Sequence, residues 1–236
     1  MRRLDFFAST LQWHTIFAIV GLLFYTAAAA SHPPMPVRNY NANYWLTVEA
    51  YEGAACNNAN YKLGSQARVA GSYSHAIDYP ATIIALDSNY ITSVVDGIED
   101  TKASIEAYVA ACGASSRIAL IGYSQGGNVM TDTLAGGTGK PAPIAEQYRQ
   151  NIVGVAVFGD PRSNAGQPYS RGTSTRDGIF ARDSSLPALS SWSNVLVSYC
   201  DENDLYCASG LSLDVHSATV SKYAQEAADF IIGLAQ

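Results

Sequence analysis

The chain has 236 residues, of which 48% are hydrophobic and only 14% charged, and its formal net charge is −6. An acidic chain of this kind has no electrostatic reason to bind nucleic acid or an anionic membrane surface, so neither partner is expected. The length suits one domain with a large core.

The first predicted element is a leader peptide at residues 1–30. Arg2 and Arg3 give a basic start, residues 15–25 form an apolar segment, and residues 27–30 are alanines. This order of features is typical of a secretory signal peptide, with a signal anchor as the alternative. No later segment has the roughly 20 apolar residues of a membrane span. We therefore expect residues 31–236 to form a single domain, secreted and monomeric, that does not enter the membrane.

Short apolar segments then alternate with helical patterns. The predicted strands are residues 44–50, 74–79, 117–122, 152–159 and 194–199. Apolar residues at helical spacing predict a long helix before Cys112, a second helix over 125–134 and a last helix over 220–234. Apolar strands separated by helices indicate a parallel sheet buried on both faces. The predicted fold class is α/β, a three-layer α/β/α sandwich with a central parallel sheet.

One serine lies between glycines at a predicted strand-to-helix turn. The segment Gly122–Tyr123–Ser124–Gln125–Gly126 fits the G-x-S-x-G nucleophile elbow. The helix that follows points its free N–H groups at the same place, where they suit a developing oxyanion. The pentapeptide alone is weak evidence, but its strand–turn–helix context makes Ser124 the candidate nucleophile.

The candidate base is found by elimination among four histidines. His14 leaves with the leader, His32 lies in a proline-rich segment, and His75 lies in a predicted strand before the serine. A half-buried structural role is favoured for His75. Elbow hydrolases order their triad as serine, acid and histidine along the chain. Only His216, which we place in a loop before the last helix, satisfies this order.

The candidate acid should lie between the serine and His216, after a late strand. Four aspartates qualify: Asp160, Asp201, Asp204 and Asp214. Asp160 precedes a proline, where a turn-forming role is the simpler interpretation. Asp201 and Asp204 lie between Cys200 and Cys207, and a disulfide across this short loop would remove roughly 2–3 kcal/mol of chain entropy from the unfolded state. Such a loop would also fix the position of a carboxylate. Asp204, deeper in the loop, is preferred.

Four cysteines in an oxidising compartment imply disulfides. Cys200 and Cys207 are the first expected pair, which leaves Cys56 and Cys112 as the second. Metal binding is the alternative, but no histidine stands near either pair at ligand spacing. No metal or other cofactor is expected.

These motifs, in this order, resemble those of the secreted fungal cutinases and acetylxylan esterases. They are Gly-Tyr-Ser-Gln-Gly, Gly-Asp-Pro after the next strand, Cys-x-x-x-Asp-x-x-Cys and a single late histidine, within residues 44–234. The resemblance implies a compact α/β-hydrolase fold without an obvious lid, a triad of Ser124, Asp204 and His216, and an oxyanion site at the Gln125 N–H. Gly126–Gly127 and residues 76–81 resemble the acetylxylan esterase branch more closely.

Two features depart from the family pattern. The family carries a hydroxyl residue after the first strand that helps to form the oxyanion hole, and Gly53 stands at that position with an N–H but no hydroxyl. Losing one oxyanion donor can cost on the order of 10²–10³ in rate. The family's first cysteine also precedes the first strand, whereas Cys56 follows the predicted one. The Cys56–Cys112 pair therefore conflicts with the predicted strand positions.

The expected function is hydrolysis of acetylxylan or other short-chain esters through an acyl-enzyme. A cutinase acting on cutin is the first alternative, and a lipase-like or polyester hydrolase is a related one. A wall-binding protein whose catalysis has decayed is the alternative from another class, suggested by Gly53. Residues 162–194 are interpreted as an ordered surface loop, although this stretch could also flank the site.

Overall fold

The computed structural model describes residues 45–49, 73–82 and 89–235, of which residues 45–49, 73–74 and 235 are described by their backbone alone. The predicted signal peptide, His14, His32, Gly53 and Cys56 lie outside these residues. The strands are β1 (Trp45–Glu49), β2 (Tyr73–Ala76), β3 (Arg117–Tyr123), β4 (Ile152–Phe158), β5 (Ser170–Arg171) and β6 (Leu196–Tyr199). The helices are α1 (Tyr90–Cys112), α2 (Gln125–Ala135), α3 (Leu186–Ser190) and α4 (Leu213–Ala235), with a 3₁₀ helix at Glu146–Asn151.

The described strands form one sheet in the order β2-β1-β3-β4-β6-β5. Every neighbouring pair is parallel. The predicted α/β fold with a central parallel sheet is therefore confirmed. Sites in such sheets form at the carboxyl ends of the strands, and Ser124, Gly159 and Cys200 directly follow β3, β4 and β6.

Both faces of the sheet are buried. Ile118 and Leu120 of β3 belong to a core that includes residues of α1 and α2. Ala119 and Ile121 belong to a second core, on the α4 side. Because successive side chains of a strand point to opposite faces, an apolar residue is needed at every position. Each fully buried large aliphatic side chain contributes about 1.5–3 kcal/mol.

The observed elements differ from the predicted ones in several places. β2 ends at Ala76 rather than at residue 79, and β3 includes Tyr123. The segment 162–194 contains β5 and α3, which are too short to produce a periodic pattern. Ordered structure there agrees with the predicted ordered loop.

The placement of His216 in a loop was wrong, because α4 begins at Leu213. The Oγ of Ser212 accepts the backbone N–H of Val215 at 3.2 Å, as a helix-capping serine does. His216 thus lies in the first turn of the helix, where the regular helical backbone fixes the direction of its side chain. In the described part of the chain, no helix combines the length and apolar character needed to cross a bilayer.

Candidate active site

Ser124 occupies a sharp turn between β3 and α2. Its backbone has φ 55° and ψ −118°, in the positive-φ region that L-residues rarely adopt. The Ser124 N–H donates to the Phe158 carbonyl at 2.8 Å, and its carbonyl accepts the N–H of Asn128 at 3.2 Å. The side chain is half-buried. The turn is thus anchored to β4 on one side and to α2 on the other.

The glycine before the turn is required by close packing. A Cβ at Gly122 would lie 2.3 Å from the carbonyl oxygen of Gly126. Backbone atoms cannot yield at that distance without opening the first turn of α2. A side chain at residue 122 would therefore displace the helix that follows Ser124.

The structure brings Ser124, His216 and Asp204 together. The Nε2 of His216 lies 2.9 Å from Ser124 Oγ. Its Nδ1 lies 2.9 Å and 3.0 Å from the two carboxylate oxygens of Asp204. An ionised carboxylate only accepts hydrogen bonds, so Nδ1 carries the proton and Nε2 is free to accept the serine hydroxyl. This tautomer is the one in which a histidine can act as a base toward serine.

Asp204 is held by the backbone of its own loop. Its side chain has no exposed surface, and its Oδ1 accepts the N–H groups of Tyr206 at 2.8 Å and Cys207 at 2.9 Å. The predicted disulfide between Cys200 and Cys207 is present, with a Cα–Cα distance of 5.9 Å. One residue of the disulfide thus donates directly to the carboxylate.

The other candidate acids have different partners. Asp160 accepts the Thr131 hydroxyl and the Arg162 N–H, both at 2.8 Å. Asp201 binds Lys222 at 2.6 Å, as well as the hydroxyls of Tyr223 and Thr173. Burial alone would raise the pKa of Asp201, but these hydrogen bonds and the lysine charge outweigh it and lower the pKa. Asp214 is exposed in the first turn of α4.

His75 has the structural role that was expected. It is half-buried in β2, and its Nε2 lies 3.3 Å from the Oγ of Ser104 on α1. The second predicted disulfide cannot be followed, since Cys56 lies outside the described residues. It stays a prediction.

The side chain of Gln125, the first residue of α2, holds this residue in place through hydrogen bonds. Its Oε1 accepts the Ser93 hydroxyl at 3.0 Å, and its Nε2 donates to the Thr82 carbonyl at 2.9 Å. Ser93 Oγ in turn accepts the Thr82 N–H at 3.2 Å. The backbone N–H of Gln125 belongs to the first turn of the helix, where such groups lack an intrahelical acceptor. Gly53, the second predicted oxyanion donor, lies outside the described residues.

Gly159 provides space for the imidazole, a role that the sequence did not indicate. Its φ is +60°, and a Cβ built on it would lie 2.6 Å from Cε1 and 2.8 Å from Nδ1 of His216. A glycine directly after a strand is visible in the sequence, but the approach of residue 216 is not.

We predict that Gly159→Ala lowers kcat/KM by about 10²-fold, because a displacement of roughly 1 Å in a reacting group has that effect. Gly166→Ala is the matched control: its φ is +72°, and none of the described atoms lies within 4 Å of the added Cβ. Both variants carry similar backbone strain, and only the first displaces His216. Steady-state kinetics of the two variants test this, and equal activities would contradict it.

A buried ionic cluster lies beneath α2. Arg182 and Asp132 have no exposed side-chain surface, and their NH1 and Oδ1 atoms are 2.7 Å apart. Arg162 Nε lies 3.0 Å from the same carboxylate oxygen. Arg182 also donates to Thr131, which donates to Asp160. Burial raises the pKa of the Asp160 carboxyl, and the Arg182 charge opposes this rise.

Comparison with known proteins identifies the family of the chain. The sequence profile of the cutinase family matches residues 47–234. The chain is 32% identical to an acetylxylan esterase of Hypocrea jecorina over 171 residues, 68% of this chain and 56% of that protein. It is 30% identical to "Cutinase 11" of Verticillium dahliae over 171 residues, 68% of this chain and 57% of that protein. The matched region thus spans just over half the length of these relatives.

A solved structure supports the same relationship. An acetylxylan esterase structure superposes with a TM-score of 0.70 at 25% sequence identity, covering 82% of this chain and 99% of that one. The family match covers most of the chain, including the three residues that meet at the turn. The chain belongs to the cutinase family.

Proposed function

We propose that this protein is a serine carboxylic-ester hydrolase that uses Ser124, His216 and Asp204 as a catalytic triad. Ser124 Oγ attacks the ester carbonyl while its proton passes to His216 Nε2. Asp204 holds the imidazole through Nδ1 and stabilises the imidazolium that forms. Collapse of the tetrahedral intermediate transfers that proton to the leaving alcohol. Water, deprotonated by the same imidazole, then releases the acid and restores the serine.

The observation that supports this proposal most strongly is the unbroken chain of contacts from Ser124 Oγ through both nitrogens of His216 to Asp204. The Gln125 N–H is the first proposed oxyanion donor and the Gly53 N–H the second. Electrostatic stabilisation by such donors is the largest contribution in many acyl transfers. The protein would act after secretion and loss of residues 1–30.

The proposed substrate is an acetylated plant polysaccharide such as acetylxylan, or another short-chain ester. The name of the Hypocrea jecorina relative and the acetylxylan esterase structure favour this choice. Hydrolysis of cutin is the second candidate, favoured by the name of the Verticillium dahliae relative.

A series of p-nitrophenyl esters from acetate to palmitate separates these substrates. We expect the highest kcat/KM with acetate, since the short-chain proposal requires a site that gains little from a longer acyl group. A maximum at butyrate or beyond would replace acetylxylan by an aliphatic polyester. Absence of turnover throughout by the folded protein would contradict the esterase proposal and favour a decayed, wall-binding protein.

A further inference from the structure

Two tyrosine rings contact the imidazole of His216. The ring of Tyr123 is stacked on it, with centroids 5.0 Å apart and planes inclined by 29°. The ring of Tyr206 meets it in a T-shaped arrangement, at 4.7 Å and 77°. His216 is only 2% exposed. These contacts are therefore shielded from solvent. Interactions with a charge are stronger in such a place than in water.

Each tyrosine also bonds to a second part of the site. The Tyr123 hydroxyl donates to the backbone carbonyl of His216 at 3.3 Å. The Tyr206 N–H donates to Asp204. Tyr123 directly precedes Ser124 in the chain, so one residue connects the elbow turn with the helix turn that carries the base.

We propose that Tyr123 is a positioning residue whose ring face stabilises the protonated form of His216 during hydrolysis, with Tyr206 as a second contact. The proposal rests on the triad function given above. The imidazole is neutral before the attack and carries a positive charge in the transition state. The face of an aromatic ring attracts a cation through its quadrupole. The contact with Tyr123 thus strengthens as the barrier is crossed, which is the condition for accelerating a reaction.

Among the described residues, Asp204 is the principal charged neighbour of His216. The other titratable groups nearby are neutral, exposed or paired. The phenols of Tyr123 and Tyr206 remain neutral, because burial raises the pKa of both. On α4 itself, Asp214 is exposed and Lys222 is paired with Asp201.

The carboxylate of Asp160, just after β4, also has other partners. Asp160 follows Gly159, which packs on the imidazole, but its carboxyl binds Thr131 and the Arg162 N–H. Loss of the Tyr123 ring should therefore change the protonation of His216 without removing any of these contacts.

The test compares the wild-type protein with Tyr123→Leu and Tyr123→Phe. Two quantities are measured: the pH dependence of kcat/KM for p-nitrophenyl acetate, and the midpoint of the His216 Hε1 titration by NMR, assigned with His216→Gln. The leucine variant should lose about 2- to 30-fold in kcat/KM, the range expected for a cation–π contact. Both midpoints should move down by about 0.4–1.5 pH units, because the imidazolium is destabilised. The phenylalanine variant keeps the ring and should resemble the wild type.

Unchanged midpoints in Tyr123→Leu would overturn the proposal, and so would a phenylalanine variant as impaired as the leucine one. If Tyr123→Leu does not fold, Tyr123→Met, which also lacks the ring, is titrated instead; a downward shift supports the proposal and an unchanged midpoint overturns it. If the wild-type protein hydrolyses no ester, only the proposed triad function is refuted. The NMR titration would still decide the role of Tyr123.

Discussion

Ser124→Ala should lower the rate of ester hydrolysis by at least about 10⁴-fold, because removing one member of a triad disables the group as a unit. The substitution removes the Ser124 Oγ atom, which is hydrogen-bonded to His216 Nε2. It leaves the strained backbone unchanged, since alanine and serine meet the same steric limits at φ 55°. The measurement is kcat with p-nitrophenyl acetate, together with a thermal unfolding curve.

The matched control is Ser221→Ala on α4. Its exposed hydroxyl donates to the Ala218 carbonyl in the same helix, so the same atom is removed five residues further along the helix than His216. The control should keep the wild-type rate. A Ser124→Ala protein that retains more than about a hundredth of the wild-type rate would exclude Ser124 as the nucleophile.

Arg182→Met should lower the free energy of unfolding by about 3–5 kcal/mol, the range found when one partner of a buried ion pair is removed. The change leaves Asp132 buried, with Arg162 Nε at 3.0 Å and the Asn128 amide at 2.7 Å as remaining partners. It also removes a donor from Thr131 and from the Gly136 carbonyl at the end of α2. Urea denaturation gives the difference.

Two further variants identify the cause of this loss. Arg176→Met removes an exposed arginine and should change stability by less than about 0.5 kcal/mol. The double variant Asp132→Leu/Arg182→Met removes both charges, and it should be more stable than Arg182→Met alone if the cost arises from a buried carboxylate left with only Arg162 as a charged partner. A loss below about 1 kcal/mol in Arg182→Met would show that the buried pair does not hold this region together.

The strands of the central sheet could be predicted because they are buried on both faces. Every position of β3 between Ile118 and Ile121 must be apolar, and such runs stand out in a sequence. β5 has two residues, Ser170 and Arg171, and pairs with β6. Its position depends on tertiary contacts, so no local pattern marks it.

A motif, the residue order and a cysteine-closed loop together predicted the three residues that meet at the turn. Ser124 stands in a recognisable motif, and the late position of His216 left one histidine in the required order. The choice of Asp204 over Asp201 relied on the loop closed by Cys200 and Cys207, and the structure brings Asp204 to the imidazole.

The surroundings of the site could not be predicted, because they depend on distances between residues far apart in the chain. Gly159 and His216 are 57 positions apart in the sequence, yet an added Cβ would lie 2.6 Å from the ring. The pair of Asp132 and Arg182 is likewise formed only when the 162–194 segment folds under α2. Such contacts have no sequence motif of their own.

The most direct measurement is the mass of the protein after reaction with a p-nitrophenyl alkyl phosphonate, which phosphonylates an activated serine as p-nitrophenolate leaves. We predict one adduct per chain, located by peptide mapping at Ser124, and none in Ser124→Ala. An adduct at another residue, or an unmodified protein that still hydrolyses p-nitrophenyl acetate, would contradict the proposal that Ser124 is the nucleophile.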